Sequence, residues 1–209
     1  MNQPQDHLDT LHEIRDLMEK STRFISLSGL SGVFAGIFAL IGAGVAFVIL
    51  KADSFVYTDY RAALDHEQVL WLLFLDAVVV LVVSFVVAML LTVRQARKKG
   101  QPIWSKTAQR LTINMLIPLV TGGIFCLAFL YQGYIGIIAP SMLVFYGLAL
   151  INGSKYTLHD IRYLGICEIV LGLIATFFIG YGLLFWAIGF GVLHIIYGIV
   201  MYQKYEKNG

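Results

Sequence analysis

The chain has 209 residues, of which 58% are hydrophobic and 13% charged, with a formal net charge of +2. Soluble domains carry about 25% charged residues, so this composition argues against a water-soluble fold and for a bilayer as solvent. The apolar runs are continuous rather than alternating, which excludes a β-barrel and leaves an all-α, polytopic membrane protein.

The first 23 residues carry Asp6, Asp9, Glu13, Asp16 and Glu19, too acidic for the basic start of a cleavable signal peptide. Leu8, Leu11, Ile14, Leu17 and Met18 form an apolar stripe between these charges. Residues 1–23 therefore read as a cytoplasmic amphipathic helix, lying at the interface or docking onto a partner. Six transmembrane helices follow, at 24–50, 69–93, 111–131, 137–152, 163–180 and 183–202, arranged as three hairpins. Residues 203–209 read as a tail.

Charge sorts the connections. The segment 94–110 holds Arg94, Arg97, Lys98, Lys99, Lys106 and Arg110 with no acid. The segment 51–68 sets Lys51 and Arg61 against Asp53, Asp59, Asp65 and Glu67, and the other two outer turns are uncharged. All basic clusters then fall on one side, which places both termini in the cytoplasm. Trp104 among these cations suits the headgroup layer, so anionic lipid is the expected partner of 94–110 and nucleic acid is not.

Span one is rich in small residues: Ser28, Gly32 and Gly36 recur at every fourth position, as do Ser31, Ala35, Ala39 and Ala43. Such a stripe lets another helix approach closely, from the same chain or from a second subunit or membrane-complex partner. Gly29, Gly36, Ala39 and Gly44 recur at a fixed offset as Gly165, Gly172, Ala175 and Gly180. That offset suggests three parallel hairpin repeats. Span two contains one acid, Asp76, with no basic neighbour in sequence. A solvated vestibule, a neutral hydrogen-bonded acid and an ion path all stay open for it. Pro118 predicts a kink in span three, and Pro140 lies in the first turn of the short span four.

Spans five and six carry the most specific pattern. Gly165, Glu168 and Gly172 share one face of span five; Gly191, His194 and Gly198 share one face of span six at the same spacing. The tight turn Gly180-Tyr181-Gly182 puts Glu168 and His194 at equal depth. The two glycine faces are therefore expected to meet with a carboxylate and an imidazole between them. A charge at the bilayer centre costs at least about 2.5–3.5 kcal/mol, so the pair needs a reason. As an interhelical clasp, it predicts that Glu168→Gln lowers thermal stability. As a proton-handling or ligand-binding site, it makes Glu168, His194 and Asp76 the candidates for a small proton-linked transporter or channel.

The remaining chemistry is sparse. Cys126 and Cys167 both lie in apolar spans, so neither a disulfide nor a thiolate metal site is expected. Asp65, His66 and Glu67 are consecutive and not spaced for one helix face, so no metal and no cofactor is expected. Phosphate-loop, zinc-protease and serine-hydrolase signatures are absent from the sequence. A non-enzymatic protein, accessory or stress-associated, is the first expectation.

The glycine-containing hairpins, through Gly165, Gly172, Ala175, Gly191 and Gly198 in the last third of the chain, resemble the acid-resistance membrane protein family. That resemblance implies a small six-span membrane protein associated with stress and supplies no reaction. The whole chain also looks like short bacterial inner-membrane proteins, which implies a location and no activity.

Overall fold

A computed structural model describes residues 28–50, 67–100 and 102–207. The predicted amphipathic helix at 1–23 and most of the predicted outer connection, 51–66, lie outside the described residues. Every regular element among the described residues is helical. Helix α1 spans Gly29–Ile49, α2 Glu67–Lys98 and α3 Lys106–Tyr131. A 3-10 turn, Ile135–Ile137, leads into α4 at Ile138–Gly153. Helix α5 covers Asp160–Phe177 and is joined through a 3-10 turn, Ile179–Tyr181, to α6. Helix α6 is composite: Gly182–Trp186, a π-helical segment Ala187–Leu193, His194–Tyr202, and a second π-helical segment Gln203–Lys207. Five of these helices are long and apolar enough to cross a membrane. The sixth, α5, has 18 residues and carries Asp160, Arg162 and Glu168.

One predicted boundary is corrected. The basic segment 94–110 is mostly helix, because α2 continues through Lys98 and α3 begins at Lys106. Arg97 and Lys98 sit in the last turn of α2, where cations complement the helix dipole. The Ser105 hydroxyl starts α3 by accepting the Ala108 N–H at 3.1 Å. Within the predicted tail, Gln203–Lys207 is π-helical and continues α6.

The helices form a row around a four-helix centre. Helix α2 packs on α1, α1 on α6, α6 against α4 and α5, α5 on α4, and α3 on α4. The outer faces of α2 and α3 are apolar and exposed, with Leu75, Leu81, Phe85 and Leu90 on one and Ile113, Ile117, Val120 and Ile124 on the other. Such faces suit acyl chains rather than water.

The glycine faces do not meet as expected. Those of α5 turn to α4: a Cβ at Gly165 would lie 2.8 Å from the Gly147 carbonyl, and one at Gly172 would lie 2.9 Å from that of Pro140. Those of α6 turn to α1: a Cβ at Gly198 would lie 2.5 Å from the Val33 N–H nitrogen, and one at Gly191 would strike Leu40. Gly36 and Gly32 lie on the same α1–α6 contact, against Gly191 and Gly198. The physical reason is size. Glu168 and His194 stand in the middle of their stripes and hold those two stripes apart. Helix α1, with Gly32 and Gly36, and α4, with Gly147, offer notches into which a backbone fits.

The last segment of the chain ties two helix starts together. Glu206 accepts the Gly29 N–H at 2.5 Å and the Ser28 hydroxyl at 3.5 Å, placing an acid at the N-terminus of α1. Ser28 is thus a helix-end group as well as a buried small residue. Lys204 and Tyr205 both donate to Asp160 in the first turn of α5, at 2.9 and 2.8 Å. Burial alone would raise the Asp160 carboxyl, but the hydrogen bonds from Lys204 and Tyr205 outweigh it and hold it below the usual carboxylate range. A depressed folded pKa stabilises the fold above the unfolded value and loses that contribution as pH falls through the folded value. Asp160→Asn is therefore expected to lower the thermal unfolding midpoint in detergent slightly at neutral pH, with the difference from wild type vanishing as pH falls through the carboxyl's folded pKa.

Candidate functional site

Glu168 and His194 come together in the middle of the molecule. The Glu168 side chain is fully buried and His194 is 6% exposed. His194 Nδ1 lies 3.4 Å from Glu168 Oε1, in contact with it. The imidazole spends its hydrogen bonds elsewhere. Nδ1 is 3.0 Å from the Gly189 carbonyl, and Nε2 is 2.8 Å from the Tyr146 hydroxyl. A carbonyl only accepts, so Nδ1 carries the proton and donates it there, and in the neutral ring Nε2 accepts from Tyr146. Phe190 stacks on His194, with centroids 6.0 Å apart, and also lies against Tyr146.

This leaves the carboxylate without support. Among the described residues, neither Glu168 Oε1 nor Oε2 has a hydrogen-bond partner. Both oxygens are out of water, and an unpaired buried charge costs several kcal/mol. A Cβ at Gly189 would lie 2.6 Å from Glu168 Oε2 and would also strike Leu143. Gly189 thus makes the notch that receives the carboxylate, and its carbonyl orients the imidazole.

Gly189 belongs to the π-helical segment Ala187–Leu193, which ends directly before His194. A π turn takes an extra residue into the helix and shifts the side chains after it around the axis. Segments of this kind are frequent at functional sites. Neither the π segment nor Tyr146 was legible from spacing. Tyr146 sits on α4, which is remote in sequence, and its hydroxyl has no local signature. The Gly189-Phe190-Gly191 triplet was the one visible signal, two glycines where a single one suffices for packing.

The third candidate does not join this site. Asp76 lies on α2, the outer helix packed on α1, and its Oδ2 faces the Gly42 notch of α1. Of the two cysteines, Cys167 contacts the Tyr197 hydroxyl at 3.7 Å, and Cys126 approaches the Ile138 carbonyl at 3.9 Å. Among the described residues, no three His, Cys, Asp or Glu side chains converge. Comparison with protein-family models, curated proteins and solved structures finds no match.

Tyr146 is expected to fix the imidazole. Removing its hydroxyl leaves buried Nε2 without a partner, a loss of about 1–3 kcal/mol. Tyr146→Phe should accordingly lower the thermal unfolding midpoint in detergent. An unchanged midpoint would contradict the pairing with His194.

Proposed function

We propose that this chain is a non-enzymatic, multi-span membrane protein that binds and releases a proton at Glu168, in the manner of a small proton-linked transporter. The observation that carries this reading is the fully buried Glu168 carboxylate, to whose oxygens no described protein group donates a hydrogen bond and beside which only the His194 imidazole lies within ion-pair distance. A clasp built for stability would satisfy those oxygens, since an unsatisfied polar group weakens the fold it sits in. A bound proton neutralises the group without any further ligand. His194, in contact with Oε1, is the adjoining group able to stabilise the ionised form when the proton leaves.

The sided distribution of Lys and Arg supports a bacterial inner-membrane orientation with both termini in the cytoplasm. Anionic headgroups then meet Arg94, Arg97, Lys98 and Lys99 at the end of α2. The test is proton flux in proteoliposomes under an imposed pH gradient. The wild type is expected to dissipate the gradient, and Glu168→Gln is expected to match protein-free vesicles. Equal rates in both proteins would overturn the reading.

A second reading, an accessory or stress-associated protein, is favoured by α2. That helix packs on α1 and leaves a long apolar face outward, as a subunit docking in a larger membrane assembly would.

A further inference from the structure

The close contacts around the centre repeat. A Cβ at Gly36 would meet Gly191 O, Ile195 Cγ1 and Ile195 N at 2.6, 2.7 and 3.0 Å. A Cβ at Gly147 would meet Gly165 O, Ile169 Cγ1 and Ile169 N at 2.6, 2.7 and 2.9 Å. Gly198 rests on Val33 and the Gly29 carbonyl; Gly172 rests on Val144 and the Pro140 carbonyl. One constant offset carries Gly29, Val33 and Gly36 onto Pro140, Val144 and Gly147. Another carries Gly191, Ile195 and Gly198 onto Gly165, Ile169 and Gly172. The sequences agree locally, as Val33-Phe34-Ala35-Gly36 against Val144-Phe145-Tyr146-Gly147. The second offset also carries His194 onto Glu168.

The two packed pairs, α1 with α6 and α4 with α5, run in opposite senses. Helix α1 is antiparallel to α6, since Gly29 faces Tyr202 while Gly36 faces Gly191. Helix α6 is antiparallel to α5, since Lys204 meets Asp160 while His194 meets Glu168. Helix α5 is antiparallel to α4, since Gly172 meets Pro140 while Gly165 meets Gly147. Helices α1 and α4 are therefore inverted relative to one another. The relation is a pseudo-twofold axis across the helices. The axis passes between Glu168 and His194, which are equivalent positions in contact. The equivalence breaks at one place: Tyr146, which serves His194, corresponds to Ala35, which has no hydroxyl for Glu168.

Inside each pair, backbone meets backbone through glycine. Between the pairs, the contacts are mostly side-chain ends: Glu168 with His194, Tyr146 with His194, Cys167 with Tyr197, and Asp160 with Lys204 and Tyr205. Two inverted, glycine-packed units around a shared buried site have the arrangement on which alternating access is built. We infer that α1/α6 and α4/α5 rock against one another about this axis and open Glu168 to the two membrane faces in turn, so that the protein carries protons across rather than merely storing one. This rests on the proton-handling reading of Glu168.

The experiment uses two reversible cross-links in the full chain with Cys126 and Cys167 replaced by alanine. Ser28→Cys with Glu206→Cys, joined by a short bis-methanethiosulfonate that forms a disulfide with each thiol and releases methanesulfinate, ties α1 to α6 within one unit. Asp160→Cys with Tyr205→Cys ties α5 to α6 between the units. The between-unit link is expected to reduce proton flux in proteoliposomes to that of protein-free vesicles, with recovery on reduction. The within-unit link is expected to leave flux unchanged. Flux unaffected by the between-unit link, or lost equally with both links, overturns the rocking motion. Infrared detection of Glu168 protonation in the linked and unlinked proteins separates the two levels. A titrating Glu168 with no flux in the unlinked protein overturns translocation alone; a Glu168 that never titrates overturns the underlying reading.

Discussion

Glu168→Met is expected to raise the thermal unfolding midpoint in detergent while abolishing proton flux. The two effects share one cause. Methionine has a similar length and fills the notch at Gly189 without a polar atom that needs a partner. Replacing an unsatisfied buried polar group by an apolar one of similar shape recovers its desolvation penalty, about 1–3 kcal/mol. The same substitution leaves nothing to titrate. Glu168→Gln keeps the shape and also loses flux, but its amide is equally unpaired, so its stability should stay near that of the wild type. This reverses the expectation for a clasp, in which Gln would destabilise. A carboxylate that makes no hydrogen bond has none to lose. A lower midpoint for Glu168→Met would show that the acid contributes stability and would remove the argument for a functional role.

The second large effect is expected at the glycine contacts. A side chain at Gly36 would run into the Gly191 carbonyl and Ile195, and one at Gly147 into the Gly165 carbonyl and Ile169. Carbonyls of a rigid helix cannot swing aside as side chains do, so the helices must separate. Gly36→Val and Gly147→Val should each destabilise by about 1–3 kcal/mol, the range for overpacking. Gly44 and Gly123 are the matched controls, because a Cβ at either meets nothing within 4 Å. Gly44→Val and Gly123→Val should leave the unfolding midpoint unchanged. Equal losses at all four positions would mean that valine acts through local helix propensity and not through close approach.

The comparison of expectation with structure has a physical logic. The long apolar runs fixed the helices to within a few residues, because in hydrocarbon a continuous run has one low-energy form. The shared depth of Glu168 and His194 was also legible, since it follows from a short turn and constant rise per residue. The partners of the glycine faces were not. Periodicity says which face is smooth but not which neighbour fills it, and here the bulk of Glu168 and His194 decided against the α5–α6 contact. Asp76 shows a similar limit: an acid in an apolar run signals cost, not location, and only the packing of α2 on α1 places it apart from Glu168 and His194. The contributions of Tyr146 and Gly189 needed coordinates, because one comes from a distant helix and the other from a π turn that spacing rules built on regular helices do not anticipate.

The central claim is that the buried Glu168 carboxyl exchanges a proton beside the His194 imidazole it touches. Infrared difference spectroscopy of the purified protein across a pH titration tests it most directly. The account predicts a carboxylic-acid carbonyl band that appears and disappears with pH, is absent in Glu168→Gln and is altered in Tyr146→Phe. A titration with no such band, or one identical in Glu168→Gln, would contradict it.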